Sequence, residues 1–509
     1  MKTLFRFAIV LAATPLFAQP GTLDPTFGIG GKAIATVPGN YSSGECIAEQ
    51  ADGRIIVGGA TPGFALLARF NTDGTLDNSF GNNGLVLTDV DQSNDFVGAV
   101  AVQPDGKIVA GGVRFNNTSD GQAIVMRHLP NGSLDNSCGT NGIRTLSISG
   151  ALDSFVKAIA LQPDGRIAVF GEYWTGSVWE SYAMRLNSDG STDSGFGTVQ
   201  LDVSAPGGSD TSTDMTLQSD GKLLLCGSVE SPAGGGMYLV RLNANGSFDS
   251  SFGTGGKKVF DIGAGGSDKA YSVRVQADGR ILLCGVVDAS DGYRIGVARL
   301  LADGNLDVSF ATTGTALFNL GVDDWATPSL TLQPDGKIIM ATANNTSNAP
   351  RVKVVRMLPD GSLDAAFGTN GIGTSNATSG NNDETAVRSH FLSDGGIAVA
   401  GFVDTPNNIQ VAVWKFRSGV NVGLDETNTD HALMIAPNPV HDRITLRSEM
   451  ALDLQAPITV RDLTGKTIEM EAIRSAHLIT LDAAHLPSGP YFVTVQTKAG
   501  LMRARFIKN

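Results

Sequence analysis

Between Lys257 and Phe310 the apolar residues gather into four short runs, "KKVFDI", "AYSVRVQ", "RILLCGVV" and "RIGVARLL", separated by stretches rich in Gly, Asp and Asn. Runs of this length, rich in Val, Ile and Leu and bounded by turn residues, predict β-strands. "AYSVRV" alternates apolar and polar positions, as a strand with one more exposed face does, whereas "ILLCG" is apolar throughout and suits a strand covered on both faces. "QADGR" joins the middle pair. Its Asp-Gly step predicts a tight type I′ hairpin, which needs positive φ at both central residues.

The same pattern recurs along the chain. The aspartate of the QxDG turn returns at Asp52, Asp105, Asp164, Asp220, Asp278, Asp335 and Asp394. A second marker, the connector "GSFDSSFG" and its variants, places its aspartate at Asp24, Asp77, Asp135, Asp193, Asp249, Asp307 and Asp364, and both series step by 53 to 59 residues. Two independent markers agree on seven units. A lone four-stranded unit cannot bury both faces, and stacking units in a ring does so. The predicted fold is therefore all-β: a seven-bladed β-propeller over residues 19–417 with four-stranded blades, followed by a smaller β-sandwich. An open β-solenoid is the alternative, and four strands per unit at even spacing favour the ring.

Each unit carries a basic residue in what the sequence presents as its fourth strand: Arg69, Arg127, Arg185, Arg241, Arg299, Arg356 and Lys415. The first six stand eight residues before the connector aspartate, which predicts an ion pair, bidentate if the fork geometry is met, pinning connector to blade. The connector also holds an apolar residue, Phe27, Phe80, Phe196, Phe252, Phe310 and Phe367, with Cys138 as the exception, suited to plugging the gap between blades. "NANGSFD" alternates oxygen-bearing side chains as a calcium loop does but lacks the distal bidentate acid, so a structural connector is the preferred reading and a cation site the alternative. The N-terminal connector has no blade before it, and Lys415 ends a blade with no connector after it. In a closed ring Asp24 then faces Lys415 and Phe27 fills the gap between the seventh and first blades, without a swapped strand.

The chain opens with Lys2 and Arg6, a short apolar run and a small Ala18 before Gln19, the pattern of a secretory signal peptide over residues 1–18 cut between Ala18 and Gln19. No later run is long enough for a transmembrane helix. A formal net charge of −13 without a basic patch argues against nucleic acid as a partner, and the protein reads as a monomer. The four cysteines, Cys46, Cys138, Cys226 and Cys284, lack metal-ligand spacing and fall in different repeats, which suits buried thiols better than a disulfide framework. Only His128 and His390 lie outside the C-terminal region, so a histidine triad or zinc site has little to work with, and no cofactor or metal is expected.

The repeats resemble the delta-60 family, a bacterial propeller repeat of about this length, from Gly21 to about Arg417. That resemblance implies architecture more than activity. After a linker at residues 418–431 the pattern changes to polar-apolar alternation around turns, implying a small antiparallel sandwich over residues 432–509. This region is similar to the C-terminal sorting domain of the type IX secretion system of Bacteroidota. The matching residues are Pro437, Asn438 and Pro439, Gly465 in "DLTGK", Gly489 and Tyr491 in "LPSGPYFV", and Lys508 near the end, with Pro490 the less usual residue. The resemblance implies export through the inner membrane and then recognition by the type IX machinery, leaving a secreted or outer-membrane surface protein.

Two features stand above scaffold. Acidic residues ten positions before the QxDG aspartate, Asp95, Asp210, Asp268 and Glu384, with Asp153 and Asp324 one place earlier, would ring a channel mouth if they faced it; a hydrogen-bonded turn is the plainer reading. The third unit carries "EYWTGSVWESY", whose Tyr173, Trp174, Trp179 and Tyr182 offer flat apolar faces for a sugar ring or a partner side chain, or else pack between blades. The best-supported function is a surface binding, adhesion or scaffold module with a glycan or protein ligand at its loops. An extracellular hydrolase using loop carboxylates and a purely structural envelope component are the alternatives.

Overall fold

The turn chemistry that repeats along the chain builds the same sheet each time. In the fourth, Ser209–Leu217 pairs antiparallel with Leu223–Ser231, then Gly234–Leu242, then Lys257–Phe260. The computed structural model describes residues 19–37, 41–90, 94–115, 120–231, 234–263, 267–344, 350–375, 383–405, 408–420, 433–436, 442–448, 458–462, 467–475, 477–487, 489–497 and 500–508. The chain divides into two units, Met1–Val420 and Asn421–Asn509; among the described residues the first holds seven four-stranded sheets and the second two. Every helix-or-strand element among the described residues of both is a β-strand.

The leading strands of the seven sheets are Ser43–Glu49, Phe96–Val102, Asp153–Leu161, Ser209–Leu217, Lys269–Val275, Ser329–Leu332 and Glu384–Phe391. Each touches the next, and the last touches the first, so the sheets close a ring as propeller blades do. Burial follows the pattern of apolar positions. Ile281–Ala289 is buried along its first seven residues, while Lys269–Val275 alternates.

Three expectations are corrected by the hydrogen bonding. "KKVFDI" is not the first strand of its unit: Lys257–Phe260 pairs with Gly234–Leu242 and is the outermost strand of the preceding sheet. The basic residues therefore lie in third strands, as Arg241 does in Gly234–Leu242. The QxDG turn is not type I′ either. Only Gly279 has positive φ (85°), Gln276 N–H donates to Arg280 O at 2.8 Å, and Gly279 N–H donates to Gln276 O at 2.9 Å, which makes a three-residue hairpin ending in a glycine bulge.

Ring closure does transfer a strand. The outermost place of the seventh sheet is filled by Lys32–Ala35, with Lys32 opposite Trp414 and Ala35 opposite Val411. This follows from the corrected phase, because each sheet's last strand comes after a connector and the seventh sheet has neither of its own. The N-terminal connector comes with it. Phe27 is fully buried among Ala398, Val411 and Val413 of the seventh sheet and Ile55, Val57 and Leu66 of the first, while Asp24 lies 3.7 Å from Lys415 Nζ and 3.4 Å from Arg417 Nη2.

In the second unit, Leu433–Ala436, Arg443–Ser448, Leu478–Asp482 and Ala472–Ser475 form one sheet, and Thr467–Ile468, Ile458–Asp462, Gly489–Thr497 and Gly500–Lys508 the other. Ile444, Leu446 and Leu481 of the first pack with Val460, Tyr491, Val493 and Phe506 of the second, which is the core of a sandwich. Tyr491 stacks on Phe506 at 5.4 Å and donates to Pro487 O at 2.8 Å. Gly489 begins and Lys508 ends the long hairpin, whereas Pro437, Asn438, Pro439 and Gly465 lie outside the described residues, as does Ala18. Gln19, beside the expected cleavage point, donates through Nε2 to Gly368 O at 2.7 Å.

Candidate functional site

Every sheet has two ends, and the sequence spends its repeated residues on one of them. At the end that carries the QxDG turns, Arg241 donates through Nε to Asp249 at 2.7 Å, through Nη1 to Ala302 O of the next connector and through Nη2 to Ser251 Oγ at 3.1 Å; its guanidinium lies 4.7 Å from the centre of the Phe252 ring. The pair is single rather than bidentate, because Nη1 is committed to the neighbouring unit and Nη2 to Ser251 of the same connector. Arg69, Arg127, Arg185, Arg299 and Arg356 likewise pair with their connector aspartates and reach a carbonyl of the following unit. The Phe residues are buried between adjacent sheets, Phe252 among Leu224 and Leu239 on one side and Ile281 and Leu283 on the other. At Gly304, with φ of 89°, a Cβ would come within 2.9 Å of the Phe252 ring, so the next connector can seat only a glycine there.

The oxygens of "NANGSFD" are used up locally. Asn245 Oδ1 accepts from Ser247 N–H and hydroxyl at 3.1 and 2.7 Å, and Asp249 Oδ1 accepts from Ser251 N–H and hydroxyl at 3.1 and 2.7 Å. These are turn-forming bonds of the Asx type. The four cysteines are free and buried.

The other end of the sheets carries the loops that pass from one sheet to the next and the hairpins between second and third strands. Here the units differ, and here the singled-out residues lie. In the third sheet Trp174 and Trp179 face each other across the hairpin at 5.4 Å, both half-buried, and the run of rings continues from Trp179 to Phe155 at 5.6 Å and from Phe155 to Phe115 at 6.0 Å. Tyr173 and Tyr182 do not join them. Both are buried, 6.3 Å apart, with Tyr182 donating to Phe155 O at 3.1 Å, because their positions on the pleat point into the packing against the second sheet. Half of the proposed aromatic set is therefore core.

Phe115 and Phe155 also line a cleft of about 610 Å³ with Tyr41, Phe96, Glu45, Asn94, Asp95 and Lys157. Sequence reading did not find this cleft, although one signal was available: "NDFVGAV" and "LDSFVKA" place an aromatic at the entrance of the leading strand, where "SDTSTDM" and "SDKAYSV" have polar residues. Burial pushes the Glu45 carboxyl up, opposed by Ser43, Arg388 and Lys157.

The expected ring of carboxylates does not open on a mouth. Asp95, Asp210, Asp268 and Glu384 are each 1% exposed or less. Asp210 accepts from Val203 and Ser204 N–H at 2.6 and 2.8 Å, Asp268 from Ile262, Gly263 and Asp288 N–H, and Glu384 from Lys32 Nζ at 3.0 Å. The oxygens of Asp210 and Asp268 fasten the sheet-joining loops, whereas Asp153 accepts from Gly121 N–H, at the start of the third strand of the second sheet, at 2.6 Å. Across the ring's centre, Arg388 of the seventh sheet donates to Thr213 O of the fourth and Tyr271 O of the fifth, each at 3.0 Å, and Asp214 is held by Arg274 at 2.7 Å. The centre is thus occupied by protein side chains.

The first unit is a ring of repeated four-stranded sheets with its variable residues at one end; the second is a β-sandwich. Residues 50–80, 103–137, 162–196, 218–252, 276–310 and 333–367 match the family described as a domain of unknown function (DUF5122) beta-propeller, each match running from about the QxDG turn to the connector. Residues 434–509 match the secretion system C-terminal sorting domain. The chain thus carries DUF5122 β-propeller repeats followed by a type IX sorting tail, and it is exported to the cell surface or secreted. No curated protein matches it. Among solved structures, the polysaccharide lyase Uly1 is 11% identical with a TM-score of 0.44, covering 80% of this chain and 94% of its own. A PL25 ulvan lyase bound to its disaccharide unit is 11% identical with a TM-score of 0.41, covering 81% and 98%. Sqt1 from Chaetomium thermophilum is 14% identical with a TM-score of 0.38, covering 81% and 96%. Among the described residues no helix is long and apolar enough to cross a membrane.

Proposed function

We propose that this is an exported binding module whose ligand lies along the aromatic run from Trp174 and Trp179 into the cleft at Phe115 and Phe155. The observation that supports this is the continuity of four rings, each within 6.0 Å of the next, leading into a cleft of about 610 Å³ at the one end of the ring where the units differ. A concave apolar site with a few polar groups is the usual form of a ligand site. The tail hands the module to the secretion machinery, and the opposite end of the ring is spent on holding the sheets together. Replacing Trp174 and Trp179 together with Ala should weaken ligand capture at least tenfold, scored on glycan arrays and protein overlays, with the melting temperature nearly unchanged. A melting temperature that collapses while capture by the remaining folded protein is intact would assign the pair to packing.

Extracellular hydrolysis is the second reading, favoured by one observation: Glu45 and Asp95 line one cleft from non-equivalent positions of the repeat, and burial pushes Asp95 up to about 6. Product release from any captured glycan or peptide, abolished by Asp95→Asn, would move the reading to an enzyme.

A further inference from the structure

The cleft has aromatic walls, and its ionisable groups are mostly acidic. Glu45 and Asp95 both line it, and among the described residues the cationic group in its lining is Lys157, already 3.1 Å from Glu172 and 5.4 Å from the centre of the Phe155 ring. Arg388, whose charge reaches Glu45, is held by two carbonyls across the ring. Asp95 accepts the Val90 N–H at 2.7 Å through Oδ2, while Oδ1 accepts no well-formed hydrogen bond although the residue is 1% exposed. Both carboxyls are pushed up, first of all by burial. A buried carboxylate short of counter-charge is stabilised by a cation that enters beside it, and aromatic rings offer their negative faces to the same cation.

Glu180 is paired with Tyr173 across the hairpin and so falls on the other face of the pleat from Trp174 and Trp179. The acids that a ligand lying along the rings meets are therefore those of the cleft.

We propose that the site takes a basic polypeptide segment, with one Lys or Arg side chain in the cleft towards Glu45 and Asp95 and the neighbouring residues laid along the rings. The inference rests on the binding reading above and adds the class of ligand. Lys and Arg suit it because their stems and the guanidinium plane pack on rings while the charge reaches a carboxylate. The cleft's volume also exceeds what a single small ammonium ion fills. The same acids select against a polyanionic glycan.

The full chain is titrated with a lysine hexapeptide, a glutamate hexapeptide and maltohexaose, read by tryptophan emission and calorimetry. The lysine peptide should bind and shift the emission while the other two should not. Glu45→Gln and, separately, Phe155→Leu should each weaken it about tenfold. Asp52→Asn, an exposed acid at the opposite end of the first sheet, should change it less than twofold. Equal losses from Asp52→Asn and Glu45→Gln would reduce the effect to diffuse charge and overturn the proposal. Maltohexaose binding that needs Trp179, without lysine-peptide binding, would keep the binding face and discard the cationic ligand; no Trp179-dependent binding of any probe would discard both. Should Glu45→Gln disturb folding, tetramethylammonium added to the unaltered chain must displace the lysine peptide, and failure to compete at saturation overturns the cation site.

Discussion

Arg241→Ala tests what holds neighbouring sheets together. Arg241 is 5% exposed and Asp249 6% exposed, 2.7 Å apart, and the same guanidinium reaches Ala302 O of the following connector and covers Phe252. Removing one partner of a buried pair costs about 3–5 kcal/mol, since the other charge is left without compensation. Lys222 Nζ, 3.3 Å from Asp249, remains and softens that loss, while the Ala302 carbonyl loses its donor and adds to it by about 1 kcal/mol. A total of about 3–4 kcal/mol is expected. With an unfolding entropy of about 2 cal/mol/K per residue, a propeller of roughly 400 residues should then melt about 4–5 °C lower. Arg241→Lys should lose about half as much, because an ammonium can meet Asp249 or the carbonyl but not form the whole fork. The reference is Arg294→Ala, whose partner Asp291 is 65% exposed and whose loss should shift melting by less than about 1 °C. Differential scanning calorimetry on the three variants decides the matter. If Arg241→Ala melts like Arg294→Ala, the clasp is decoration and the sheets are held by apolar packing alone.

Phe27→Ala should cost about 3–5 kcal/mol in urea melts, because the ring is fully buried between the seventh and first sheets, and Asp24→Ala should cost clearly less; the reverse order would refute closure through the buried ring. Stability should fall in acid. Asp249 is held below the usual carboxylate range because the desolvation that would raise it is outweighed by Ser251, Lys222 and Arg241, and Asp77, Asp135, Asp307 and Asp364 are likewise lowered. A carboxylate with a depressed folded pKa stabilises the fold above its unfolded value near 4, and that contribution is lost as pH drops towards the folded value. The melting temperature should thus hold from pH 7 to about 4 and decline below, and a flat profile down to pH 2 would contradict the sign. Deleting residues 432–509 should leave the propeller folded but undisplayed, as scored by protease shaving of intact cells; normal display would remove the sorting role from the tail.

The number and type of strands were legible because they depend on short-range chemistry. QxDG must turn, "GSFDSSFG" must fold back on itself, and Val-, Ile- and Leu-rich runs between them have nowhere to go but strands. The phase was not legible. Lys257–Phe260 follows its connector directly and reads as the opening of a new unit, yet the connector reverses the chain so tightly that Arg241 N–H meets Gly256 O at 2.9 Å and Lys257 pairs back onto Val240. Pairing partners are a long-range property, and a strand of four residues carries too little pattern to declare which neighbour it prefers. The transferred closing strand was missed for the same reason, since its necessity is visible only once the outermost strand is assigned to the sheet before it.

The site divides along the same line. Trp174 and Trp179 stood out because they interrupt a repeat, and a residue that breaks a repeated pattern is under a constraint the scaffold does not impose. Tyr173 and Tyr182 stood out equally, yet alternation on the pleat sends them into the core, a distinction that needs the hairpin register of Trp174 with Trp179 and Gly171 with Tyr182. The acids before each QxDG turn misled in the opposite direction. Their regular recurrence suggested a shared ring, but recurrence in a repeat protein is what scaffold residues show: Asp210, Asp268 and Glu384 are bound to backbone amides or to Lys32, and Asp95, tied to Val90 N–H through one oxygen, lines a cleft rather than a common mouth. Phe96 and Phe155 share a position that most other units fill with polar residues, and with Phe115 and Glu45 they come from three successive sheets, so only the stacking of those sheets sets them around one cleft. In a chain built this way, recurrence marks what holds the sheets together, and the ligand is to be sought where one unit departs from the others.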